Sequence, residues 1–184
     1  MNDLNRKLED VIKFWFEELT PKDWWVKSDQ LDSKIKHQFS ELHKIAKEGK
    51  LETVRNSPEA RLAELIVLDQ FSRNIYRDTP DAFSCDELAL SLAKEAVAIG
   101  DDMMLPQLKR PFIYMPYMHS ESLEVHDEAV KLFEKLGLED SLKFEHAHRD
   151  IIVRFGRYPH RNKILGRDST TEELEFLTQP GSSF

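Results

Sequence analysis

The chain has 184 residues, 40% apolar and 33% charged, with a net charge of −8 and an isoelectric point near 5.4. That length fits one domain, residues 1–184, with a sizeable core, and the acidity argues against a general nucleic-acid or membrane-surface binder. A single cysteine, Cys85, excludes an internal disulfide and any all-cysteine zinc site, and suits the reducing cytoplasm.

The start, MNDLNRKLED, is polar and mixed in charge, unlike a signal peptide. No apolar run approaches the roughly 18 residues that span a bilayer. Leu8, Val11, Ile12, Trp15, Phe16 and Leu19 recur at helical spacing, predicting a helix over 4–19 that Thr20-Pro21 ends. A second helix, about 30–48, carries Leu31, Ile35, Phe39, Leu42 and Ala46 on one face and stops at Gly49. Ser57-Pro58-Glu59 supplies a cap, a first-turn proline and an acidic first turn. The helix it opens, to about Tyr76, is apolar nearly all round (Leu62, Leu65, Ile66, Val67, Leu68, Phe71), as expected of the most buried helix.

Ser84-Cys85-Asp86-Glu87 reads as a capping box for a helix ending at Gly100. Pro106, Pro111 and Pro116 forbid one regular helix over 101–118, leaving a short one inside 106–115. Helices follow over about 119–136 and 139–155, stopping at Gly137 and Gly156. Residues 157–168 read as an irregular basic loop. Ser169-Thr170-Thr171-Glu172 is a second capping box, opening a helix to Leu177 before a loose tail, 178–184. Strand and hairpin signals are absent. The first four helix starts are about 27 residues apart, so the expected fold is all-α: eight or nine helices in stacked antiparallel hairpins.

Phosphate-binding loops, a nucleophile elbow and the HExxH zinc motif are all missing. Glu145-x-x-His148 has di-iron spacing, but such a site needs a second pair and two more glutamates. No metal and no cofactor are expected. Cys85 lacks a base fixed beside it in sequence and reads as a plain thiol.

Three polar clusters stand out. Asp69 and Arg73 are four apart on the apolar helix, acid first, which suits a helix ion pair. Stepping by helical spacing, His119, Leu123, His126, Val130 and Phe133 form one stripe, and Phe144, His148, Ile151, Ile152 and Phe155 another. Residues 154–167 hold Arg154, Arg157, Arg161, Lys163 and Arg167 without one acid. Such a loop either packs against acids such as Asp69 and Glu121 or forms an anion pocket, since arginine forks match carboxylate and phosphate.

The strings LDQFSRNIY, YMPYMHSE and RFGRYPHRNKILGRDSTTEELEFL resemble the signature blocks of the bacterial domain of unknown function 924, with likeness running from Val11 to Leu177. The resemblance implies an all-α, tetratricopeptide-like right-handed superhelix and no known reaction. Its polar signature falls on Asp69, Gln70, Arg73, Asn74, His119, Ser120, Glu121, His148, Arg154, Arg157, His160, Arg161 and Asn162. Ser72 stands where the family commonly has proline, and Met118 where a glutamate or similar residue often precedes the histidine.

The expected function is binding of a peptide or small anionic ligand in a groove lined by 69–74, 119–121 and 154–162, with no nucleic-acid or membrane partner. One alternative is a hydrolase-type enzyme using His119, Glu121, His148 and His160 as acid–base groups. Another is a buried polar network that only specifies packing.

Overall fold

The computed structural model describes residues 3–183 as helices joined by turns and loops, with no strand among the described residues. Met1, Asn2 and Phe184, the ends of the expected polar start and loose tail, lie outside it. Counting each uninterrupted rod once, and setting 3-10 turns aside, the described residues form nine helices. The contacts group into two compact units, one of residues 1–77 and 81–116, the other of 78–80 and 117–184.

In the first unit α1 (Asp3–Lys13) runs on as a π-helical segment, Phe14–Glu18. Next come α2 (Asp29–Lys47) and a long rod made of α3 (Pro58–Leu65), a second π segment (Ile66–Phe71) and α4 (Ser72–Ile75). The rod opens as its sequence dictates: the Ser57 side chain accepts from the Ala60 N–H, and Pro58 fills a position needing no donor. Leu62, Leu65, Ile66, Val67, Leu68 and Phe71 are all closed to solvent. They are enclosed because α1 packs on α3, α2 on the π segment and α4, and α5 (Asp86–Ala98) on α3 and the π segment. At the end of the π segment the Ser72 hydroxyl donates to the Leu68 carbonyl, satisfying an acceptor that a widened turn leaves unpaired.

The expected capping box at Ser84 does not form. Cys85 occupies the cap of α5 without a side-chain bond, and Ser84 instead donates to the Asp81 carbonyl and accepts from Lys47. The unit continues through α6 (Asp101–Met104) to α7 (Pro111–Met118), within which the division between the units falls. The short helix therefore sits later than 106–115. Pro111 starts it, and Pro116 is tolerated inside because one missing N–H does not stop a helix this short. Phe112 receives Trp24 edge-on at 5.0 Å and Trp25 in a parallel stack at 6.3 Å, yet Trp25 remains 63% exposed.

In the second unit α8 (Leu123–Leu136) and α9 (Glu139–Phe155) form a hairpin. Its turn is Gly137, at φ +74°, a backbone conformation that other residues enter only at a cost. Gly156, at φ +66°, ends α9 likewise and releases the basic loop. The last helix, α10 (Thr171–Phe176), is capped by a box one residue later than expected: Thr170 accepts from the Glu173 N–H while Glu173 accepts from the Thr170 N–H. Ser169 is engaged elsewhere, accepting from the Asn162 amide. After α10 the chain turns back, and Ser182 is buried with its hydroxyl on the Leu177 carbonyl.

Candidate functional site in the second unit

The predicted helix over 119–136 breaks at its start. Helix α7 ends at Met118 and α8 begins at Leu123, so His119 lies off the α8 stripe that keeps His126. Tertiary hydrogen bonds explain the break, because they satisfy the carbonyls a helix end exposes. Met118 O accepts from the Tyr158 hydroxyl (2.5 Å), His119 O from Arg161 (3.0 Å) and Ser120 O from His126 Nε2 (2.9 Å). Glu121 is gripped by the Tyr158 backbone N–H (2.8 Å) and by both arms of Arg167 (2.7 and 2.9 Å). Burial alone would push the Glu121 carboxyl up, but Arg167 and the Tyr158 N–H outweigh it and hold it below its ordinary value.

The same loop is tied to α10. Arg157 grips Glu173 with two bonds (2.7 and 2.8 Å) and reaches the Asp168 carbonyl. The Glu173 carboxyl is drawn down to about 2 by Arg157, the Thr170 N–H and Asn162. Asn162 joins the two pairs, donating to Glu173 and accepting from Arg167. Arg154 pairs with Glu172 at the surface and lies over the Phe155 and Phe176 rings. Glu121 is thus bonded by Arg167, and Arg157 serves Glu173. Four of the five bases in this loop, the arginines, meet carboxylates or carbonyls in space.

Imidazoles gather around Tyr158, whose ring is closed to solvent under the Arg161 guanidinium. Ring centroids of His148 and His160 lie 5.8 and 5.5 Å from that of Tyr158, and His119 lies 6.4 Å from His148. His148 is buried, while His119 and His160 are half-buried. His148 Nδ1 lies 2.7 Å from the Phe144 carbonyl, which only accepts, so Nδ1 carries the proton and Nε2 keeps its lone pair. Burial, reinforced by the neighbouring imidazoles, pushes His148 down to about 3 despite that bond. Glu145 does not work with His148: it bonds His126 at 2.7 Å. Sequence patterning missed Tyr158, His126, Glu145, Arg167 and Glu173 as members of this cluster. Arg167 carried a signal as one of the five bases in the loop, His126 as a member of the His119 stripe and Glu145 through its spacing to His148.

The remaining candidates serve the first unit. Arg73 bonds both oxygens of Asp86 and the Asp69 carbonyl, and its 3.4 Å approach to the Asp69 carboxylate realises the expected pair. Gln70 donates to Asp69, and Asn74 to Asp32. Cys85 has a neighbour its sequence concealed: His43 Nε2 lies 4.0 Å from the thiol and 2.7 Å from the Ser72 hydroxyl, all three buried. Among the described residues, no three His, Cys, Asp or Glu side chains are grouped so as to hold a metal ion.

The family model for bacterial proteins of unknown function designated DUF924 matches residues 11–181. The chain belongs to this family. A neighbour among solved structures, a protein of unknown function from Agrobacterium tumefaciens, is 35% identical, with a TM-score of 0.90 over 95% of this chain and 98% of its own. No curated protein matches. For this DUF924 chain the all-helical fold is therefore shown twice over, by its own structure and by that neighbour. No helix among the described residues is long and apolar enough to cross a membrane.

Proposed function

We propose that this protein binds a small anionic ligand, or the anionic end of a peptide, at the imidazoles of His119 and His160. The observation that carries the reading is their gathering around buried His148 and Tyr158, His119 beside the His148 ring and His160 beside the Tyr158 ring, both half-open to solvent. Imidazole N–H groups donate to carboxylate or phosphate oxygens, and donate more strongly once protonated. The arginines Arg157 and Arg161 frame this cluster instead of supplying the pocket, since each already bonds a carboxylate or a carbonyl. The α8–α9 hairpin supports such a role, being the unit from which helical-repeat binding surfaces are built. A cytoplasmic location goes with this reading, supported by the free, buried Cys85.

Titration of the histidine ring resonances with phosphate and with acetate tests the reading, with sodium chloride at equal ionic strength as control. Saturable shifts of His119 and His160 are expected, lost in His160→Asn. Ring resonances that respond only to ionic strength defeat it.

One observation favours a hydrolytic second reading. The Phe144 carbonyl fixes the His148 tautomer so that Nε2 keeps its lone pair, as a general base requires. Turnover of a simple carboxylic or phosphate ester that disappears in His148→Asn supports it, and no turnover above the variant's rate removes it.

A further inference from the structure

The polar core between α8 and α9 holds a titratable pair that the binding reading leaves unused. His126 and Glu145 are both closed to solvent, with Nδ1 and Oε1 2.7 Å apart. The other ring nitrogen, Nε2, sits 2.9 Å from the Ser120 carbonyl, which only accepts, so Nε2 carries a proton. The Tyr158 hydroxyl spends its own proton on the Met118 carbonyl and turns its oxygen to Nε2 at 3.1 Å, again as an acceptor. With Nε2 protonated, the contact between Nδ1 and Oε1 needs one further proton. It is an imidazolium with a carboxylate, or an imidazole with a carboxylic acid. Without that proton a carboxylate would face a nitrogen lone pair inside the core. The second Glu145 oxygen, Oε2, is buried without a hydrogen-bond partner, which costs less on a neutral acid than on a carboxylate.

We infer that His126 and Glu145 hold one shared proton across the neutral range, and that this proton locks the 119–122 turn onto α8. The lock is direct, because the ring that bonds Glu145 on one side bonds Ser120 O on the other. The titratable and charged groups around the pair come from every packed element. His146, His148 and Arg149 share α9 with Glu145, and Asp127, paired with Arg149, follows His126 on α8. His119 and Glu121 lie on the turn, and Tyr158, His160, Arg161 and Arg167 on the basic loop. Burial raises the Glu145 carboxyl above its ordinary value against the pull of His126, in keeping with a retained proton. The inference holds whether or not an anion binds at the neighbouring imidazoles.

The sign follows from linkage. An unfolded histidine releases its proton near pH 6.5, whereas the folded pair keeps it. Folding then takes up a proton above that pH, and stability falls as pH rises until the folded pair lets go. Glu145→Gln offers His126 Nδ1 an amide N–H that never titrates and removes this dependence. Chemical unfolding between pH 6.5 and 9 reads the difference. The unfolding constant of the wild type is expected to climb about tenfold more per pH unit than that of Glu145→Gln, because one proton is released on unfolding. Parallel slopes overturn the inference. A wild-type measurement stands beside it should the variant not fold: the His126 ring nitrogens and the Glu145 carboxyl carbon, followed by NMR. Neither is expected to titrate between pH 5.5 and 7.5. A His126 ring that titrates near 6.5 beside an ionised Glu145 overturns it equally. Neither experiment contains a ligand, so failure here is distinct from failure of the anion-binding reading.

Discussion

His43 and His148 are buried as neutral rings, at about 4 and about 3, both driven first by burial. Each is depressed below its unfolded value, so each binds fewer protons folded than unfolded, and its contribution is lost as pH falls below about 6.5. Together they are expected to cost about 1.4 kcal/mol each per pH unit on the acid side. His148→Asn keeps a donor for the Phe144 carbonyl and lacks the titration, so its acid limb should be shallower by one proton, read from denaturant melts between pH 5 and 6.5. The Arg55–Glu64 pair has different stakes. Glu64 is 1% exposed and receives two bonds from Arg55. Arg55→Ala leaves that carboxylate alone in the core and should cost about 3–5 kcal/mol in equilibrium unfolding, much of it recovered when Glu64 is made Gln as well.

At the scale of elements, the α3–α4 rod carries the first unit. Leu65→Ala and Leu68→Ala each leave a cavity enclosed on several sides and should cost about 2–5 kcal/mol by the same measurement, whereas changes at exposed Leu108 should cost little. In the second unit the basic loop acts as a strap running from the 119–122 turn to α10. Arg157→Ala is expected to lower the melting temperature because it strands the buried Glu173, and Glu173→Gln should restore part of the loss. Any shift that phosphate causes should be equal in wild type and Arg157→Ala, since Arg157 belongs to the strap. A phosphate shift abolished by Arg157→Ala alone would return the anion pocket to the arginines. Thr170→Ala removes half of the α10 capping box at about 1 kcal/mol.

For the whole molecule, a net charge of −8 is unrelieved by any free basic face in the second unit, where Arg157 and Arg167 are bound to Glu173 and Glu121. Retention on immobilised duplex DNA at about 50 mM salt is therefore expected to be absent, because the net charge repels phosphate and these arginines are already held by carboxylates. Salt-sensitive retention would contradict that balance.

What the chain by itself determined is every feature set by near neighbours in sequence. Period-3.6 apolar spacing marks the rods, Ser57-Pro58 the start of α3, and Gly137 and Gly156 the ends of α8 and α9, because those signals act within one or two helical turns. The limits of that reading are just as specific. Nothing local distinguishes Ser84, whose box fails, from Thr170, whose box forms, since the difference is which groups already bond distant partners. The helix break before α8 is likewise invisible in residues 116–123; it exists because Tyr158, Arg161 and His126 bring donors to three successive carbonyls. The candidate site follows the same division. Histidines and arginines could be singled out by type, but their sorting into strap, imidazole cluster and proton-sharing pair depends on contacts between residues as far as 46 positions apart. Hydrogen bonds and ion pairs act over a few ångströms, so only the tertiary structure could decide which of these groups meet.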